Sequence, residues 1–66
     1  MHVPVIAQEG LTVLQLLSEG LTEQDIASRC GMSVDEVHRR LAQACDLLHA
    51  PAPIAAVVTA VHQGLI

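Results

Sequence analysis

The chain has 66 residues, enough for one small domain whose stability must come from dense helical packing or from self-association. Hydrophobic residues make up 52% of it and none is aromatic, so leucine, valine, isoleucine and alanine must form the core, and a disordered chain is excluded. Seven acidic residues against three arginines give a net charge of −4, a sign that opposes long-range attraction to nucleic acid.

The spacing of the cysteines and histidines in the sequence predicts neither a metal site nor a catalytic site. Cys30 and Cys45 follow no CxxC pattern, and we expect both to be reduced. Cys45 and His49 are four residues apart, but two ligands do not make a zinc site. No nucleophile and base occur with a third, orienting group in recognisable spacing, so we predict a protein without catalytic residues, cofactor or metal, and not an enzyme.

Targeting signals are also missing from the sequence. The N-terminal stretch MHVPVIA lacks the basic start and long apolar run of a signal peptide. The longest run of small apolar residues, APAPIAAVVTAV, is too short to cross a bilayer. We therefore expect a cytoplasmic protein with no membrane partner.

Glycines and prolines divide the chain into four helix-sized pieces, which predicts a single all-α, four-helix domain over residues 1–66. The first helix, about 8–18, has apolar residues at helical spacing and ends before Gly20. The second, about 22–30, begins at the capping residue Thr22, with Asp25 at the position where a capping box prefers Glu or Gln, and ends before Gly31.

The third helix is predicted over about 33–49. Ser33 and Glu36 form an S-x-x-E pattern, in which each side chain satisfies a free backbone donor at the start of the helix. Steps of three and four residues place one apolar stripe toward the core: Val34, Val37, Leu41, Ala44 and Leu48. The opposite side carries Asp35, Arg39, Ala42, Gln43 and Asp46, with His38 and Arg40 at its margins.

The fourth helix, about 53–63, starts after Pro51 and Pro53 and is apolar around nearly its whole circumference. Such a helix must be covered on more than one side. We predict that one side faces the core and that the other pairs two copies of the chain through Ile54, Val57, Val58, Val61 and Leu65. The alternative is that these side chains are simply the core of a compact bundle.

Two stretches, VLQLLSEGLTEQDIASRCGMSVDEVHRRL and IAAVVTAVHQGLI, resemble the DNA-binding domain of LuxR-type (GerE-type) regulators over residues 6–66. The resemblance implies a helix-turn-helix in helices two and three, with the third in the major groove of DNA and the fourth pairing two subunits. A weaker resemblance, to region 4 of sigma factors, covers less of the chain and involves Arg40, Leu41 and Ala44.

By position, the resemblance implies that Glu36, His38, Arg39 and Arg40 face the groove and that Ser33 lies near the phosphates. The sequence departs from the family pattern, because Glu36 replaces a usual Thr and His38 a usual Lys. The predicted DNA-contacting residues are Ser33, His38, Arg39, Arg40 and Gln43. For Asp35 and Glu36, the simplest role is to stabilise the dipole of the third helix.

Two functions remain open from the sequence. The first is a dimeric transcriptional regulator that binds double-stranded DNA. The second is a protein-interaction module that keeps the helix-turn-helix fold and the dimer surface, has lost DNA binding, and docks on another regulatory protein. A third possibility is that the chain is the effector part of a longer regulator.

Overall fold

The computed structural model describes residues 6–66 and contains four helices within them. Their bounds are Gln8–Ser18 (α1), Glu23–Cys30 (α2), Val34–Leu48 (α3) and Pro53–His62 (α4). Each predicted boundary is within one residue of the observed one, and the described residues contain no strand. The predicted all-α, four-helix fold is confirmed.

A complete capping box starts α2. The Oγ1 atom of Thr22 accepts a hydrogen bond from the backbone N–H of Asp25 at 3.1 Å, and the Asp25 carboxylate accepts one from the backbone N–H of Thr22 at 3.4 Å. At the other end Gly31 has a left-handed φ of 67°, and the N–H of Met32 donates to the Ala27 carbonyl at 2.9 Å. Only glycine adopts this conformation at little cost, so Gly31 makes the sharp turn between α2 and α3.

The start of α3 differs from the prediction in one respect. Ser33 caps the helix, since its hydroxyl accepts from the backbone N–H of Glu36 at 3.0 Å. Glu36, however, does not complete the predicted capping box, because its carboxylate accepts from the guanidinium of Arg39 at 3.2 Å. A charged partner competes well with a backbone N–H for a carboxylate, and this leaves Ser33 as the only side chain that caps α3.

The core lies around α3, which packs against the other three helices. The predicted stripe on α3 is confirmed at four of its five positions. Val34 is the exception: it is the first residue of α3, at the edge of the packed region, and its side chain stays exposed. Ten apolar residues form the buried cluster: Val13, Leu14, Ile26, Ala27, Val37, Leu41, Ala44, Leu48, Ala56 and Ala60.

No single helix within residues 6–66 reaches the length of a membrane span. None is both long enough and apolar enough to cross a bilayer. The pair α3 and α4 reaches that length only when taken together, across a bend of 54°.

Candidate functional site

The surface of α3 opposite the core is solvent-exposed along most of its length. We call this surface the outer α3 face. It is the only long polar surface of α3, because the inner stripe of the same helix is buried. Its residues are all exposed, and they are Asp35, His38, Arg39, Ala42, Gln43 and Asp46.

Arg39 is the one arginine that extends from this face into solvent. Its side chain is 65% exposed, and its Nη1 atom lies 3.2 Å from the Glu36 carboxylate one turn earlier. An exposed ion pair of this kind contributes little free energy, because water screens both charges. The Arg39 guanidinium is therefore able to exchange Glu36 for another anion, such as a phosphate, at low cost.

Arg40 lies in a different place. Its side chain is only 26% exposed, and its Nη2 atom is 3.4 Å from the Glu9 carboxylate on α1. Its Nε atom lies 3.9 Å from Glu36, is shielded from solvent and has no hydrogen-bond partner among residues 6–66. Arg40 thus links α3 to α1 rather than extending from the outer α3 face, and the structure separates two arginines that the sequence places side by side.

A shallow groove of about 410 Å³ runs between the start of α1 and α3, next to Arg40. Gln43 lies on its rim, so this predicted DNA-contacting residue faces both the groove and solvent. Gly10 forms part of its floor; a Cβ atom there would lie 3.0 Å from the Cγ2 atom of Ile6, tighter than ordinary contact. The absence of a side chain at residue 10 therefore lets Ile6 pack closely against the first turn of α1.

His38 lies at the margin of the outer α3 face that borders α2. Its Nδ1 atom is 3.5 Å from the Oε1 atom of Glu23, at the start of α2. The His38 side chain is exposed and the Glu23 side chain is half-buried, and they form an ion pair only when the imidazole is protonated. Ser33 lies at the start of the same helix, where its hydroxyl already serves as the cap of α3.

The charges on the outer α3 face are unfavourable for DNA at neutral pH. Asp35 and Asp46 contribute two carboxylates, whereas Arg39 contributes one guanidinium that is itself paired with Glu36. Sequence reasoning recognised the carboxylates at the start of α3 but gave no weight to Asp46. The signal was present, since Asp46 follows Arg39 by seven residues, two helical turns, and so lies on the same surface.

The two cysteines are free and half-buried. Burial raises the pKa of the Cys45 thiol, and the neighbouring Asp46 carboxylate raises it further, so this thiol is a poor nucleophile. Among residues 6–66, no three histidine, cysteine or acidic side chains lie close enough together to hold a metal ion.

A second surface lies on α4. Ile54, Val58 and Val61 follow one another at steps of four and three residues and are 68%, 52% and 54% exposed. We call them the outer α4 stripe. Val57 and Leu65, which were also predicted at the dimer interface, are half-buried and pack against the core of their own chain.

No protein-family model matches the chain, and a search of curated proteins gives no match either.

Proposed function

We propose that the chain is a helix-turn-helix domain of the LuxR type that binds double-stranded DNA as a homodimer, as a cytoplasmic regulator of transcription. One observation carries the proposal: α2 and α3 are separately capped helices joined by a tight turn at Gly31, and the second of them is exposed along one whole side. In helix-turn-helix proteins the second helix enters the major groove while the first crosses the backbone.

In this arrangement the outer α3 face reads the bases. Arg39 donates to guanine, the pairing that a guanidinium makes most often in the major groove, and Gln43 is suited to adenine. His38 and Ser33 lie at the edges of the face, within reach of the backbone phosphates. Arg40 contributes indirectly, because its pairing with Glu9 on α1 fixes the position of α3.

The outer α4 stripe supports the dimer. The sequence of α4 contains no Asp, Glu, Lys or Arg, and all the acidic residues and arginines of the chain lie before residue 47. Two copies with a charge of −4 each repel one another least when they meet through an uncharged surface. Burial of Ile54, Val58 and Val61 against a partner would also remove from water the three most exposed large aliphatic side chains of residues 6–66.

Because the outer α3 face carries carboxylates beside Arg39, the affinity for DNA is the measurement that tests the proposal. We expect a labelled duplex of mixed sequence to bind the wild-type chain at about 50 mM salt, where attraction to phosphates is strong, as measured by fluorescence anisotropy. Arg39→Ala should weaken binding about tenfold, because it removes from the outer α3 face a guanidinium whose hydrogen bond to a phosphate contributes about 1.5–3 kcal/mol. Asp46→Asn should strengthen binding, since it removes a carboxylate from the same face.

Arg29→Ala is the matched control, because it removes one positive charge from an exposed residue at the end of α2 instead of from the outer α3 face. If wild type does not bind at about 50 mM salt, or if Arg29→Ala and Arg39→Ala lose equal affinity, then DNA recognition by this face is ruled out.

Docking on another regulatory protein is the second candidate, and one observation favours it. Asp35 and Asp46 flank Arg39 on the outer α3 face and suit a basic protein surface better than DNA. The same substitution separates the two functions, since Asp46→Asn strengthens attraction to DNA but weakens attraction to a basic partner.

A further inference from the structure

The shallow groove between the start of α1 and α3, called here the α1–α3 groove, has apolar walls. Its apolar lining within residues 6–66 consists of Ile6, Ala7, Gly10, Ala44 and Leu47. Ala44 is buried and forms part of the floor, whereas Leu47 stands at the edge and is 42% exposed. With a volume of about 410 Å³, the groove is large enough to hold a bulky apolar side chain.

The rim of the α1–α3 groove carries a charge of −1. Arg40 and Asp46 line the groove, and Glu9 lies 3.4 Å from the Nη2 atom of Arg40. These two carboxylates and one guanidinium, each counted once, leave one negative charge. Glu36 adds nothing to this sum, because its charge is balanced by its ion pair with Arg39. Asp46 is exposed and forms no ion pair within residues 6–66, so the excess negative charge lies there.

We propose that the α1–α3 groove is a docking site for a segment of another protein in which a large apolar side chain is flanked by lysine or arginine. The apolar side chain packs against Ile6 and Leu47, and the cation reaches Asp46 at the rim. Burial of the apolar side chain provides most of the affinity, and the complementary charge selects the partner and its orientation. Occupation of the groove does not require DNA and is a second activity of the domain.

Other occupants fit this groove less well. A nucleic acid or an acidic peptide is repelled by the negative rim. A second copy would have to present an apolar side chain together with a cation, but its outer α4 stripe lies on a helix without Lys or Arg. A small molecule would keep much of its surface in water in so shallow a groove, whereas ligand sites usually bury about 70–90% of the ligand.

The probe is a short synthetic peptide, a phenylalanine flanked by lysines and blocked at both ends. It is titrated into isotope-labelled protein without DNA and followed by NMR, and the amide signals of Gly10, Ala44 and Leu47 should shift. A matched peptide with alanine in place of phenylalanine should bind about tenfold more weakly, because the buried apolar side chain is lost. A second matched peptide, with glutamate in place of lysine, should show no binding up to about 5 mM.

Variants of the protein assign the binding to the groove. Leu47→Ala removes part of a wall and Asp46→Asn removes the charge of the rim. Each should weaken binding of the lysine peptide about fivefold, as for the loss of one unit charge about 4 Å away in water in the second case. Val34→Ala and Asp35→Asn are the matched controls, since both residues lie on α3 outside the groove and Val34 is as exposed as Leu47, at 43%. Both controls should keep the affinity of wild type.

The four substituted side chains are exposed, so circular dichroism should show the helices intact in every variant. Weakening confined to Leu47→Ala and Asp46→Asn supports docking in the groove. Equal weakening in the controls, equal binding of the glutamate peptide, or shifts centred on the outer α4 stripe overturns it. Absence of binding by the lysine peptide up to about 5 mM also overturns it. Because no DNA is present, failure of the groove proposal leaves DNA binding untouched, and failure of DNA binding leaves the groove proposal standing.

Discussion

The helices α3 and α4 place their large apolar side chains in opposite ways. On α3 most of the large apolar side chains point inward, and the outer α3 face carries charges. On α4 the inward positions are the alanines Ala56 and Ala60, and the larger Ile54, Val58 and Val61 point outward. Alanines let α4 approach its neighbours closely but bury little area, and three of the four large aliphatic side chains of α4 stay exposed. The difference shows that α3 contributes more of the buried core than α4 does, and it is the basis of the proposal that α4 pairs with a second copy of the chain.

The largest effect is expected from the inner side of α3. Leu41→Ala should lower the free energy of unfolding by about 2–5 kcal/mol, the usual cost of removing a buried leucine and leaving a cavity. Urea denaturation followed by circular dichroism measures this. Leu47→Ala is the matched control on the same helix, since Leu47 is exposed and its truncation should cost about 0.5 kcal/mol or less. Equal losses in the two variants would contradict the assignment of the two sides.

A substitution in the outer α4 stripe should have the next largest effect, on the assembly of two chains rather than on the stability of one. Val58→Asp should convert the proposed dimer into a monomer, because it would place two carboxylates in an apolar interface. Light scattering measures the mass, and circular dichroism should show unchanged helix content since Val58 is exposed within its own chain. Gln63→Glu adds the same charge just beyond α4, outside the stripe, and should leave the mass of the dimer unchanged. A wild-type chain that is monomeric at all concentrations would show that the stripe has another role.

Helix boundaries and the core were predictable from the sequence because they depend on local signals. Thr22 and Ser33 cap the helices that they precede, and Gly31 turns the chain, each through interactions within a few residues. The apolar period of α3 identified its buried side for the same reason. Val34 was assigned wrongly because periodicity gives the direction of a side chain and not whether a neighbouring helix reaches far enough to cover it.

The candidate site was predictable only in part, because its charges depend on contacts between helices. Arg39 and Arg40 are adjacent in sequence, and the helical period distinguishes them only by placing Arg40 at the margin of the side that carries Arg39. Glu9 makes the difference, and it lies 31 residues before Arg40. In the same way, the proximity of His38 to Glu23 appears only once α2 and α3 are packed together.

Substitution of Arg39 or Arg40 should have the smallest of these effects, on the free energy of unfolding. Arg40→Ala removes the ion pair with Glu9 and the packing of the aliphatic stem against α1, and should cost about 1 kcal/mol after allowance for screening by solvent. Arg40→Met keeps the stem and should recover part of that loss. Arg39→Ala should change stability by about 0.5 kcal/mol or less, since its pair with Glu36 is exposed. If Arg39→Ala destabilises the chain more than Arg40→Ala does, the separation of one structural and one DNA-contacting arginine is wrong, and with it the assignment of Arg39 to base recognition.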